Sequence, residues 1–165
     1  NLSAHKRGWD DRWEEFSDRA EKGKALHDEI LSLVDADADA FKKVMQAFSL
    51  PKDSEADHAA RHQAIQEATK GAIEVPLRIM QRSLDCFEVI RAMADSGLPA
   101  SLSDVGVAAL AARAGVMGAF LNVKVNVKDL DDHAWIDQKL AEGQRLQDAA
   151  IAAEKTVFEI IGDKI

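Results

Sequence analysis

The sequence is poor in the residues that mark several common protein classes. Its 165 residues include one cysteine, three prolines and no tyrosine. Because Cys86 has no second cysteine to pair with, no disulfide can form within the chain, and we expect a reducing, cytoplasmic setting. Few helix-breaking residues and abundant alanine predict an all-α protein.

Positive charge is also scarce. The 21 Lys and Arg residues against 29 Asp and Glu residues leave a net charge of −8, which disfavours nucleic acid as the main partner. No apolar run of about 18 residues suggests a membrane span. No basic start followed by an apolar segment predicts a secretory signal. We therefore expect neither nucleic acid nor a membrane as a partner.

The chain divides into four predicted helices joined by short breaks, at about residues 13–48, 55–94, 102–125 and 131–161. Pro51 ends the first, and Asp53 or Ser54 is placed to cap the second. Pro76 lies inside the second and predicts a kink or break near Glu74. With no linker or repeat, residues 1–165 are predicted to form one domain, a bundle of long helices.

The third predicted helix is the most apolar. Ser101 and Asp104 resemble a capping box at its start. From Val105 to Val123 its only charged residue is Arg113, and small residues such as Gly115 and Gly118 recur. A helix that is apolar all round is buried on most sides, and small residues allow close packing. We therefore predict a central helix and a homodimer interface; a core helix of a monomer is the alternative.

The segment "LVDADADAF", residues 33–41, places three aspartates in an apolar stretch of the first helix. At about 100° per residue, Asp39 points away from the apolar stripe, Asp35 is intermediate, and Asp37 lies at the edge of the stripe. The stripe consists of Ile30, Val34, Ala38, Phe41, Met45 and Phe48. Asp37 is then either a carboxylate satisfied by a donor from another helix, or a general acid/base whose pKa desolvation moves towards neutrality.

Two other polar groups are candidates for binding. Asn122 and Asn126 lie one turn apart at the end of the third helix, where they could cap a neighbouring helix, bond across a dimer interface or bind a polar ligand. "HKRGW", residues 5–9, sets three basic residues beside Trp9 and suits an anionic ligand or a basic surface turn. No metal is predicted, because the acidic pairs lack the His spacing of a di-metal bundle site.

Three blocks in order resemble the cyclodeaminase domain of the formiminotransferase-cyclodeaminase family, which includes bacterial methenyltetrahydrofolate cyclohydrolases. The blocks are "LVDADADAFKKVMQAFSLPK", "AIQEATKGAIEVPL" and "SLSDVGVAALAARAGVMGAFLNVKVNVKDL". The resemblance implies a homodimeric helical bundle that binds a tetrahydrofolate derivative as substrate near the dimer interface, without a metal. It implies cyclodeamination of 5-formimino-tetrahydrofolate to 5,10-methenyl-tetrahydrofolate with release of ammonia, a step of histidine degradation and one-carbon metabolism.

The resemblance also assigns residues. Asp37 matches the proposed catalytic aspartate of "VDAD", and Ser103, Asp104, Asn122 and Asn126 match positions implied to bind or support the substrate. Family members usually have a glycine-rich turn and an alanine-rich helix before the equivalent of residue 1, so this chain is expected to begin within or after that helix. Methenyltetrahydrofolate cyclohydrolase activity and a non-catalytic helical dimerisation module are the alternatives.

Overall fold

Four long helices make up the part of the chain that the structure describes. The structure is a computed structural model that describes Ser3 and residues 7–165. The helices are α1 (Trp13–Phe48), α2 (Glu55–Ser96), α3 (Leu102–Asn126) and α4 (His133–Gly162). Short 3-10 turns lie at Asp10–Arg12, Pro99–Ser101 and Val127–Asp129, and these described residues contain no strand. The predicted all-α class is confirmed.

The ends of the helices follow local chemistry. The Ser54 side chain accepts a hydrogen bond from the backbone N–H of Asp57, and the Asp57 carboxylate accepts one from the backbone N–H of Ser54, which makes a full capping box at the start of α2. Asp132 caps α4 by accepting from the backbone N–H of Trp135. The capping box predicted for Ser101 is wrong, since its side chain makes no cap hydrogen bond and a 3-10 turn leads directly into α3.

Proline does not interrupt α2. Pro76 lies inside the helix, which continues for 42 residues, so the break predicted near Glu74 is absent. A proline has no N–H and leaves the carbonyl four residues earlier, here that of Ala72, without its helical donor. The Asn126 amide of α3 approaches this carbonyl at 3.4 Å and replaces part of the missing bond. The carbonyl freed by Pro76 therefore receives a donor from another helix.

Within the single chain, the central helix is α2, which contacts α1, α3 and α4. The prediction that α3 is central is wrong for the single chain, because α3 packs mainly on α2 and α4. At one end of the bundle, Arg12 and Lys164 donate to backbone carbonyls of Ser96 and Ala94, close to the end of α2. The short connections make neighbouring helices antiparallel.

Two glycines allow close approach between helices. A Cβ on Gly143 of α4 would lie 2.3 Å from the buried ring of Phe120, and a Cβ on Gly115 would lie 3.0 Å from the Ser83 hydroxyl of α2. Gly118, by contrast, is exposed and has nothing within 4 Å of its Cβ position. The tight packing predicted from the small residues of α3 thus holds at Gly115 and not, within the single chain, at Gly118.

The apolar stripe read from the α1 sequence is largely exposed. Val34, Phe41 and Met45 are 53–62% exposed, whereas Leu33 and Ala40 are buried against α2. The α1 prediction therefore identified an apolar face but not the face that packs against the rest of the chain.

A second exposed apolar face runs along α3. It follows a three- and four-residue repeat, the spacing of a helix–helix seam. Its members are Val107, Ala111, Ala114, Gly118, Leu121 and Val125, all exposed.

By length and composition, Pro99–Asp129 is one segment that could cross a membrane. A third of its most apolar stretch is buried in the fold. The interior helix of a globular protein passes the same test, so this observation is weak. Midway along the segment, the Arg113 guanidinium lies 2.7 Å from the Glu154 carboxylate of α4. This ion pair ties α3 to its neighbour.

Candidate functional site

A cleft of about 310 Å³ lies at the end of the bundle where α1 and α3 finish and α2 begins. Pockets for small molecules commonly have volumes of about 300–1,000 Å³. Three of the five site residues predicted from the sequence line this cleft. The cleft is lined by Asp37, Phe41, Val44, Phe48, Thr69, Ala72, Asn122, Asn126 and Asp129.

Asp37 projects from α1 into this cleft and is partly buried. Asp39 pairs with Lys42 at 2.8 Å on the exposed side, and Asp35 is also exposed. Asp37 itself forms no hydrogen bond or ion pair with the residues described by the structure. Among these residues, the interpretation of Asp37 as a carboxylate satisfied by a donor from another helix is therefore wrong. Its oxygens are available to a ligand.

The two asparagines form an ordered pair on the α3 side of the cleft. Asn126 Nδ2 donates to Asn122 Oδ1 at 2.8 Å and approaches the carbonyl of Ala72 at 3.4 Å. This arrangement leaves Asn122 Nδ2 free to donate and Asn126 Oδ1 free to accept. The pair thus contacts the backbone of α2 and also leaves one donor and one acceptor available to a ligand.

Residues that the sequence reading missed complete the cleft. Phe41 and Phe48 contribute aromatic surface one and three turns after Asp37, and Thr69 adds a hydroxyl from α2. Asp129 adds a second carboxylate from the 3-10 turn after α3. Thr69 had a sequence signal, since a polar residue on the apolar stripe of a helix is uncommon. The aromatic residues had none, because their stripe read as core.

Ser103 and Asp104 are exposed at the opposite end of α3 from Asn122. At 1.5 Å per helical residue, the two groups lie about 27 Å apart. Asp104 lines a different cavity, of about 380 Å³, between α2 and the start of α3. The fold of the single chain therefore does not bring Ser103 and Asp104 to Asp37.

Other chemistry was considered for the described residues. Among them, no group of three or more His, Cys, Asp or Glu side chains is placed to hold a metal ion. Burial raises the pKa of the Cys86 thiol, and the neighbouring Asp85 adds to this, so the thiol is a poor nucleophile at neutral pH. Of the "HKRGW" segment, His5 and Lys6 lie outside the described residues. The Asp37 cleft, which combines carboxylates, a hydroxyl and two amides, is therefore the candidate site.

Comparison with known proteins gives consistent relatives. The sequence profile of a family described as formiminotransferase-cyclodeaminase matches residues 1–145. The chain is 38% identical over 148 residues to methenyltetrahydrofolate cyclohydrolase of Methylorubrum extorquens, covering 88% of this chain and 70% of that protein. It is 40% identical over 136 residues to formimidoyltransferase-cyclodeaminase of Sus scrofa, covering 82% of this chain and 24% of that protein.

A solved structure agrees with the fold. The crystal structure of formiminotetrahydrofolate cyclodeaminase from Thermotoga maritima superposes with a TM-score of 0.83. The match covers 99% of this chain and 77% of that one, at 24% sequence identity. At this identity the comparison supports the arrangement of helices and no more.

Proposed function

The chain belongs to the formiminotransferase-cyclodeaminase family, and on this premise we propose that it is a folate-dependent one-carbon enzyme. Its reaction is the cyclodeamination of 5-formimino-tetrahydrofolate to 5,10-methenyl-tetrahydrofolate with release of ammonia. The observation that carries this proposal is the unpaired Asp37 carboxylate in a cleft that also holds the Asn122–Asn126 pair. We place the reaction in the cytoplasm, within histidine degradation, and without a metal.

Ring closure needs one proton to move between two nitrogens. N10 of the folate attacks the formimino carbon, which has been protonated at its imino nitrogen, and a new C–N10 bond forms. Asp37 accepts the proton that N10 loses and delivers it to the former imino nitrogen. The C–N bond to that nitrogen then breaks and ammonia leaves. One carboxylate within reach of both nitrogens can act first as base and then as acid.

The rest of the cleft suits the flat pterin ring of a folate. Phe41 and Phe48 offer apolar surface to a ring face, since aromatic groups bury large areas against one another. Asn122 Nδ2 and Asn126 Oδ1 offer a donor and an acceptor to the polar ring edge.

A homodimer is part of this proposal. The exposed seam on α3 has small residues at its centre and larger ones towards its ends, which suits close packing against an identical helix. In a two-fold dimer the same surface meets itself, and two α3 helices would cross antiparallel. Ser103 and Asp104 of one copy would then approach Asn122 and Asn126 of the other. This would bring all five predicted site residues to one cleft.

Analytical sedimentation tests the dimer. Gly118→Arg places a charged side chain on the seam, whereas Gly162→Arg adds the same side chain at another open glycine, near the end of α4. We expect the wild type and Gly162→Arg to sediment as dimers at micromolar concentration and Gly118→Arg as a monomer. A monomeric wild type would contradict the proposed interface.

Methenyltetrahydrofolate cyclohydrolase is the second candidate, favoured by the match to the bacterial enzyme of that name over 70% of its length. In that reaction water adds to the methenyl carbon and the C–N5 bond breaks, which yields 10-formyl-tetrahydrofolate.

One assay separates the two candidates. 5-Formimino-tetrahydrofolate and 5,10-methenyl-tetrahydrofolate are supplied in turn, and methenyl absorbance and ammonia are followed. Ammonia release with rising methenyl absorbance identifies the cyclodeaminase. Loss of methenyl absorbance above the spontaneous rate identifies the cyclohydrolase. Turnover of neither substrate would refute both.

A further inference from the structure

Thr69 is a buried polar residue of the cleft that the proposed reaction does not yet use. It is 7% exposed, and its side chain lies among the residues that line the cleft around Asp37. Its hydroxyl makes no hydrogen bond with the residues that the structure describes. Among the described residues, the fully enclosed side-chain nitrogens and oxygens without a hydrogen-bond partner are Arg19 Nε and Arg113 Nε, so the Thr69 oxygen remains accessible from the cleft.

Two helical hydroxyls of the same chain show the usual local arrangement. Thr156 Oγ1 donates to the carbonyl of Ala152 at 3.1 Å, and Ser96 Oγ donates to that of Ala92 at 3.0 Å. This bond to the carbonyl four residues earlier is the usual solution for a threonine inside a helix. Thr69 has the same helical setting and lacks the bond. Its hydroxyl is therefore available to a group that enters the cleft.

The position of Thr69 places it beside the asparagine pair. Ala72, one turn after Thr69 on the same face of α2, has its carbonyl approached by Asn126 Nδ2 at 3.4 Å. Asp37 lies on the α1 wall of the same cleft. Three helices thus supply three chemical types: a carboxylate from α1, a hydroxyl from α2 and amides from α3.

We propose that the Thr69 hydroxyl hydrogen-bonds directly to the bound folate, at the polar edge of its pterin ring. This inference rests on the proposed function, since it concerns the same substrate. A pterin edge alternates donors and acceptors, and a hydroxyl can donate and accept through one oxygen. Binding therefore gives the Thr69 hydroxyl the partner that the fold does not provide.

The test compares three variants for ligand affinity and for thermal stability without ligand. Thr69→Val keeps the shape and removes the hydroxyl, Thr69→Ser keeps the hydroxyl, and Thr156→Val is the matched control. The ligand is 5-formyl-tetrahydrofolate, in which oxygen replaces the imino nitrogen so that no ammonia can leave. Calorimetry gives Kd, and the melting temperature reports on the fold.

We expect Thr69→Val to raise Kd by about 5- to 100-fold, the usual effect of leaving a buried ligand group unpaired. Thr69→Ser should stay within about threefold of the wild type, and Thr156→Val should leave Kd unchanged. Without ligand, Thr69→Val should melt at or above the wild-type temperature, because the hydroxyl that it removes has no partner within the described fold. If the hydroxyl instead stabilised the fold, Thr69→Val would melt below the wild-type temperature.

Two results would overturn the inference while leaving the proposed function intact. One is wild-type affinity in Thr69→Val; the other is a Thr69→Val protein that fails to fold or melts well below the wild type, since the hydroxyl would then have a partner within the fold. A wild-type protein that binds no folate would instead refute the proposed function, and this inference with it.

Discussion

The contact between Gly143 and Phe120 gives a prediction about how α3 is held in place. Phe120 is 2% exposed and lies two residues before Asn122. A Cβ at position 143 would lie 2.3 Å from Cε2 and 2.5 Å from Cδ2 of the ring. Gly143→Ala therefore forces the ring to retreat by roughly 1 Å in a core packed at the density of an organic crystal.

Two opposing effects set the magnitude. Overpacking of this kind costs about 1–3 kcal/mol or more. Replacing a helical glycine by alanine returns about 1 kcal/mol through helix propensity. Because two ring atoms clash closely, we take the upper part of the first range and expect a net loss of about 1–2 kcal/mol. For a chain of this size that corresponds to a fall of roughly 2–8 °C in melting temperature.

Gly71 provides the matched control. It lies inside α2, and nothing is within 4 Å of its Cβ position. Gly71→Ala should therefore stabilise the fold by about 0.5–1 kcal/mol through propensity alone. Urea unfolding followed by circular dichroism measures both variants. If Gly143→Ala proved as stable as Gly71→Ala, the close packing of α3 on α4 described above would be incorrect.

Two further outcomes follow from ion pairs. Arg113→Ala should cost about 1–3 kcal/mol in urea unfolding, because it leaves the mostly buried Glu154 carboxylate without its cation; an unchanged midpoint would argue against that pair. The Lys70 ammonium holds the pKa of the Asp132 carboxyl below its ordinary value of 3.8. The contribution of this ion pair to folding stability should therefore be complete above pH 3.8 and be lost as pH falls through the folded-state pKa. Asp132→Asn, which keeps a good helix cap, should flatten this acid-induced fall in melting temperature; an identical pH profile would exclude the pair as its cause.

Much of the fold can be predicted from local chemistry. The bounds of α1 agree with the prediction, and Pro51 explains its end; Ser54, one of the two predicted caps, caps α2. The passage of α2 through Pro76 was not predictable, since the donor that meets the Ala72 carbonyl belongs to Asn126, far away in sequence. Pairings of this kind depend on tertiary structure.

The apolar faces show a second limit. Val34 and Phe41 indicate that one side of α1 is apolar, but a sequence does not say whether the chain itself or another molecule covers that side. The side of α1 that packs against the rest of the chain includes Ala40 and Ala47, whose small apolar side chains give a weak periodic signal. The error at α1 and the error over the central helix have this same cause.

The candidate site was partly within reach of the sequence. Asp37 stood out by periodicity, and the family resemblance added Asn122 and Asn126; the structure places all three in one cleft. Ser103 and Asp104 match the family blocks but lie at the other end of α3, and only a second copy would bring them near. Thr69 was missed, although it lies within the block "AIQEATKGAIEVPL".

The most direct test of the account is the rate of ring closure in Asp37→Asn. Asparagine keeps the size of the side chain and cannot carry the proton. We expect kcat on 5-formimino-tetrahydrofolate to fall by about 10²- to 10⁴-fold, the usual contribution of a general acid/base. The affinity for 5-formyl-tetrahydrofolate and the melting temperature should change little. Full turnover in Asp37→Asn would contradict the role assigned to this carboxylate.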